Sequence, residues 1–273
     1  MYKLLRLEIA CNKVQVVKSL IYFFIFVLLT QLGLIFALGK LSIEQDPSFL
    51  DIFSATIIGV MDGEEFDRRL IFRLSSYTLS ILLIMYMAAG PIKNSLNGYF
   101  EAVNYRLLTR KKWFYAQLFL NISFSLVAVG LILISAILLS FLSSADFSLG
   151  FTEGYCITMI PFLRDVSLSP SVFIIFLFEH VLITFGILQI QTMLILNKPV
   201  LYSFGLIGLA ILASLFLIPQ WSPLAFASLL SSFIFSEAAA IHLFILVLFV
   251  ISSVLLSFLY TMRADIYPLR EEL

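Results

Sequence analysis

Two ionisable residues, Glu179 and His180, stand inside the otherwise apolar run Phe176-Leu177-Phe178-Glu179-His180-Val181-Leu182-Ile183. At membrane depth a charged side chain costs about 2.5–3.5 kcal/mol on insertion scales, so such a pair needs compensation or has a task. Adjacent residues point about 100° apart on a helix and make poor partners for each other. His180 can reach Thr184 one turn on, whereas Glu179 needs a group from another helix or a water-filled cavity. Two readings stay open: a substrate path or proton-linked site, or a protonated Glu179 that acts only as packing glue. A second acidic group, Asp62, Glu64, Glu65 and Asp67, suggests a cation site at first sight. Its spacing fits no cation loop and Arg68 and Arg69 compete, so a solvated turn is expected.

Other chemistries find no support. The chain has two histidines, His180 and His242, and two cysteines, Cys11 and Cys156, with no clustering among them, so no metal site is expected. It lacks the Gly-x-x-x-x-Gly-Lys-Ser/Thr phosphate loop, His-Glu-x-x-His and Gly-x-Ser-x-Gly. No catalytic residue is therefore assigned, and no cofactor is expected to bind directly. Nucleic acid is not an expected partner, because the basic residues are scattered rather than gathered into a patch.

The elements that carry Glu179 and His180 follow from composition. Of 273 residues, 61% are hydrophobic and 12% charged, and the mean hydropathy is +1.06. Soluble domains are about half apolar and a quarter charged, so most of this surface must face lipid. Continuous apolar blocks, without the alternation of lipid-facing strands, predict an all-α polytopic membrane protein in one transmembrane domain over 1–273. Six spans are expected, near 19–39, 74–91, 114–142, 171–196, 200–218 and 239–260, each close to the roughly 20 residues that cross about 30 Å of hydrocarbon. The first block is read as a retained span, since its core is longer than a signal-peptide h-region and Leu38-Gly39-Lys40 offers no cleavage site.

Even parity places both termini on one side, and basic residues choose the side. In this arrangement Lys3, Arg6, Lys13, Lys18, Lys93, Arg106, Arg110, Lys111, Lys112, Lys198, Arg263 and Arg270, twelve of the 17 Lys and Arg, lie in the cytoplasm. Lys40, Arg68, Arg69, Arg73 and Arg164 lie outside. The expected location is a plasma membrane, bacterial by preference, and the two cysteines fall on opposite faces.

Three connections invite a reading of their own. The external loops 41–73 and 143–170 have no assigned role. The cytoplasmic segment 95–112 places Leu96, Tyr99, Phe100, Val103 and Leu107 at steps of three and four, with Asn97, Glu101, Tyr105 and Thr109 opposite. That periodicity predicts an amphipathic helix at the inner surface, ended by Arg110-Lys111-Lys112 and Trp113. Membrane anchoring alone would explain it equally well. After Pro219-Gln220-Trp221-Ser222-Pro223, the apolar run 224–235 is too short to cross and return, and a re-entrant or interfacial hairpin is expected.

Taken in order, these features resemble the permease subunit of ABC-2-type ABC transporters. The local match is Glu101-Ala102-Val103-Asn104-Tyr105-Arg106-Leu107-Leu108-Thr109-Arg110-Lys111-Lys112-Trp113, similar to that family's acidic helix start, leucine pair and basic entry to span three. Pro223-Leu224 is similar to its Pro-Leu before span six. The family's usual Gly-Thr in the coupling segment is missing, and the loop 143–170 is longer than expected. The resemblance implies a coupling helix at 95–112 that docks a separate ATPase through Glu101, Tyr105, Arg106 and Arg110. It further implies two cytoplasmic ABC ATPases, a second permease copy or homologue, and ATP used only through those partners. Its 28 phenylalanines suit export of a hydrophobic or amphipathic peptide, lipid or drug. An intramembrane enzyme or a non-transporting scaffold using Glu179 and His180 is the alternative.

Overall fold

The computed structural model describes residues 2–40, 46–57, 68–96, 110–155, 168–196, 198–217 and 239–263, with side chains over 13–37, 46–57, 70–93, 110–155, 168–196, 198–214 and 241–263. The helices are α1 (Tyr2–Lys40), α2 (Phe49–Ser54), α3 (Arg68–Leu96), α4 (Arg110–Leu142), α5 (Pro170–Ile195), α6 (Val200–Leu217) and α7 (Ala239–Arg263). No strand occurs among the described residues; one isolated bridge joins Ser48 and Asp146. The fold is therefore all-helical, as the continuous apolar blocks require.

Five helices are long and apolar enough to cross a membrane, over Lys13–Ala37, Leu70–Lys93, Arg110–Leu142, Pro170–Ile195 and Ile241–Arg263. The fifth expected span is α6, 18 residues long. At 1.5 Å per residue that is about 27 Å, slightly less than the roughly 30 Å hydrocarbon core. Helix ends run past the apolar blocks because backbone hydrogen bonding continues beyond the lipid: α1 is helical from Tyr2 and α3 from Arg68. Arg73, expected in an external loop, sits in the second turn of α3 and is only 4% exposed.

Packing sorts the helices into inner and outer ones. Helix α5 touches α3, α4, α6 and α7, and 61% of its span is buried against 17% for α7. Where α5 is not covered by other helices it presents apolar side chains such as Ile174 and Phe178, so no polar stripe interrupts its surface and it reads as apolar all round. Small residues on α4, Ser125, Ala128, Ser135 and Ala136, are fully buried and let neighbouring backbones approach. Gly186 does the same for α5 and α7: a Cβ there would stand 2.5 Å from the Phe249 ring.

The contacts also orient the bundle. Leu120 to Val127 of α4, Pro91 toward the C-terminal end of α3 and Val16 and Leu20 in the first half of α1 line one cavity, and Arg110 Nη1 at the start of α4 donates to Met262 O at the end of α7. Helix α1 therefore begins where α7 ends. That end carries Lys13, Lys18, Lys93, Arg110, Lys111, Lys112, Lys198 and Arg263, with Glu8 near the start of α1, whereas Asp46, Asp51, Asp146 and Glu153 gather at the other.

Candidate functional site

A seam of buried polar side chains runs through the bundle where α3, α4 and α5 meet. Helices rich in apolar residues bury such groups only where other helices cover them, because lipid cannot satisfy a hydrogen bond. Glu179 and His180 on α5 are each 2% exposed. Tyr77 on α3, fully buried, lies within electrostatic reach of Glu179. Neither carboxyl oxygen of Glu179 is hydrogen-bonded among the described residues, so Tyr77 is a neighbour of the carboxyl rather than a bonded partner. Arg73 lies one turn before Tyr77 on the same face. Gln191 Nε2 donates to Met85 O at 3.0 Å and ties α5 to α3 further along the same seam.

Neighbouring bonds hold this seam in register. Asn121 Nδ2 of α4 donates to Thr192 Oγ1 at 2.9 Å and to Leu188 O at 3.3 Å. Thr192 Oγ1 in turn donates to Leu188 O at 2.8 Å. Gln31 Nε2 on α1 reaches Ile132 O at 3.4 Å. The bond from His180 to Thr184 that helical spacing allows is not made, since Thr184 Oγ1 has no hydrogen-bond partner among the described residues. His180 instead packs at 6.2 Å, ring to ring, on Phe176 one turn earlier. Gln189, 1% exposed, has neither amide atom hydrogen-bonded among the described residues. Chemically the seam offers amides, hydroxyls, an imidazole, a phenol and a carboxyl: a set suited to polar ligands or proton exchange rather than to metal binding.

At the acidic end the described parts of the two loops that the sequence left unassigned, 46–57 and 143–155, join into a cap that meets α3 and α5. Ser48 and Asp51 form a capping box, with Asp51 N donating to Ser48 Oγ and Ser48 N to Asp51 Oδ2. Asp51 then reaches the other loop. Thr152 Oγ1 donates to Asp51 Oδ2 at 2.6 Å and Thr152 N to Asp51 Oδ1 at 3.2 Å. Phe49 N donates to Asp146 O at 2.8 Å, and the hydroxyls of Ser54 and Tyr155 share a hydrogen bond. Phe49 and Phe53 insert between these loops and α5, edge-on to Phe173 at 5.9 and 5.1 Å. Burial pushes the Asp51 carboxyl up to about 6, against the lowering effect of its bonds to Thr152 and Ser48. Ser80 Oγ of α3 closes the cap from below by donating to Thr56 O at 3.2 Å.

Arg73, Tyr77 and Asp51 were not among the residues that the sequence singled out. A signal for Arg73 was present, since Leu70, Ile71 and Phe72 begin the apolar run before it. Asp51 had none, because its partner Thr152 is 101 positions away. Arg110 lies at the first turn of α4, tied to α7. Glu101, Tyr105 and Arg106, with 97–109 of the expected coupling helix, lie outside the described residues, as do the acidic cluster at 62–67 and the expected re-entrant segment 219–238.

Neither protein-family models, nor curated proteins, nor solved structures show a match to this chain.

Proposed function

We propose that the chain is the membrane-spanning permease subunit of an ABC-2-type ABC transporter, which moves a hydrophobic or amphipathic substrate with energy from separate cytoplasmic ATPases. The observation that carries this reading is the buried polar seam around Glu179, enclosed by helices whose outer faces are apolar. Ionisable groups at such depth mark substrate or proton pathways by default. The grouping of basic residues at the end where α1 begins and α7 ends supports a six-span arrangement with both termini in the cytoplasm. Arg110 adds a mechanical element: a push delivered through the segment just before it would reach α4 directly and α7 through Met262. In this proposal Glu101, Tyr105 and Arg106 meet the ATPase, and a second permease copy or homologue completes the pathway. Closure of the ATPases would then switch the bundle between two packings.

The test is purification of the tagged chain with its natural partners, followed by transport in reconstituted vesicles. An ATPase should accompany the wild-type chain and be lost from Glu101→Arg, which places a repelling charge in the docking groove. Glu179→Gln should keep that ATPase and normal abundance while transport falls or loses its pH dependence. An absent ATPase partner, or full transport with Glu179→Gln, would each overturn a distinct half of the proposal.

A further inference from the structure

Near the basic end, α1, α3 and α4 enclose a cavity of about 170 Å³ lined by Val16, Leu20, Pro91, Leu120, Phe124 and Val127. Its lining is apolar in effect as well as in name. Ser123 also borders it, but its hydroxyl is committed to Phe119 O at 2.8 Å. Val127 is 43% exposed, so the cavity opens sideways toward whatever surrounds the bundle. In a bilayer that is hydrocarbon, and a slot of this kind between helices takes a stretch of acyl chain.

Charge decides which lipid. Lys13 precedes Leu20 by seven residues and Lys112 precedes Ser123 by eleven; at 100° per residue each lysine falls within about 20° of the lining residue's own face. Along the axes they lie about 10 and 16 Å toward the basic end, comparable to half of a roughly 30 Å hydrocarbon core. Both lysines are exposed, and at that end the basic Lys13, Lys18, Lys93, Arg110, Lys111 and Lys112 outnumber the acid Glu8 on α1. We propose that this groove is a binding site for an anionic phospholipid, with one acyl chain in the cavity and the headgroup phosphate between Lys13 and Lys112. The site is separate from the polar seam and does not depend on the transporter reading.

The experiment uses the full chain in nanodiscs containing a small fraction of phosphatidylglycerol or phosphatidylcholine that carries a diazirine in one acyl chain, with crosslinks mapped by mass spectrometry. The phosphatidylglycerol probe should label Val16, Leu20 and Val127 well above Ile251 and Leu255, which lie on the lipid-exposed face of α7. The phosphatidylcholine probe should not show that enrichment. Lys13→Gln and Lys112→Gln should each lower labelling by phosphatidylglycerol about fivefold, the effect of one basic residue at a membrane surface. Ser123→Phe, which fills the cavity, should abolish the phosphatidylglycerol enrichment without altering labelling of α7. Equal labelling of groove and α7 would reduce the groove to ordinary lipid contact and overturn the proposal. Equal enrichment by both lipids, or enrichment that survives both lysine substitutions, would overturn its headgroup assignment.

Discussion

Asp51 is expected to make the loop cap loosen as pH rises through about 6. Its carboxyl is fully buried, and burial raises its pKa from an ordinary 3.8 to about 6. A folded-state value above the unfolded one means that the cap favours the protonated acid. The stabilisation is complete below about pH 3.8 and is lost as pH climbs through 6. The full linkage, about two pH units, corresponds to roughly 3 kcal/mol. Between pH 5 and pH 8 the two titration curves leave about 1.4 kcal/mol of it, or tenfold in the opening equilibrium. Amide exchange at Ile52 and Thr152, corrected for the intrinsic pH dependence of exchange, should therefore show about tenfold less protection at pH 8 than at pH 5. Asp51→Asn keeps the shape and an acceptor oxygen without the charge. It should be flat across this range and better protected than wild type at pH 8. Asp51→Ala should be worse at every pH, because the amide N–H groups of Ser48 and Thr152 lose their acceptor at about 1–3 kcal/mol. Protection that does not change with pH, or an Asn variant with the wild-type pH dependence, would refute the reasoning.

Three further outcomes follow from particular contacts. Gly186→Ala should lower the thermal midpoint in detergent by the equivalent of about 1–3 kcal/mol, through collision with the Phe249 ring. Combination with Phe249→Leu should recover part of that loss, as expected for residues in contact. Asn121→Leu should cost about 0.5–2 kcal/mol in chemical unfolding, and a double-mutant cycle with Thr192→Val should reveal a coupling near 0.6 kcal/mol, typical of hydrogen bonds between transmembrane helices. Ser144 holds a left-handed backbone, φ 54°, where Ala145 N bonds back to Ser140 O and ends α4. Ser144→Gly should therefore stabilise by about 1 kcal/mol, visible as a raised thermal midpoint, and Ser144→Val should do the reverse.

The alternative readings of Glu179 differ in what α3 contributes. A carboxyl that serves as packing glue needs only covered surroundings. Placement within reach of the Tyr77 phenol, next to the buried His180, gathers polar chemistry at one depth of the bundle instead of scattering it. That concentration is why Glu179→Gln, which removes charge and little else, separates the readings in transport while Glu179→Leu would not.

Membrane residence, helical class and the approximate position of every long helix could be read from the chain alone. They depend on the length of apolar runs, a local property that the hydrocarbon thickness selects directly. The buried depth of Glu179 and His180 was legible for the same reason. What the chain could not announce were the relations between distant segments: Tyr77 within reach of Glu179, Thr192 as the partner of Asn121, and Thr152 as the partner of Asp51. Helix ends depend on backbone bonding that continues past the apolar blocks, so hydropathy placed Arg73 in a loop. The described parts of the loops, 46–57 and 143–155, carry no periodic signal, because they are joined by a few long-range bonds and the aromatic wedge of Phe49 and Phe53 against Phe173. Only the tertiary structure decides such pairings, since each joins residues whose local sequences are compatible with many other partners.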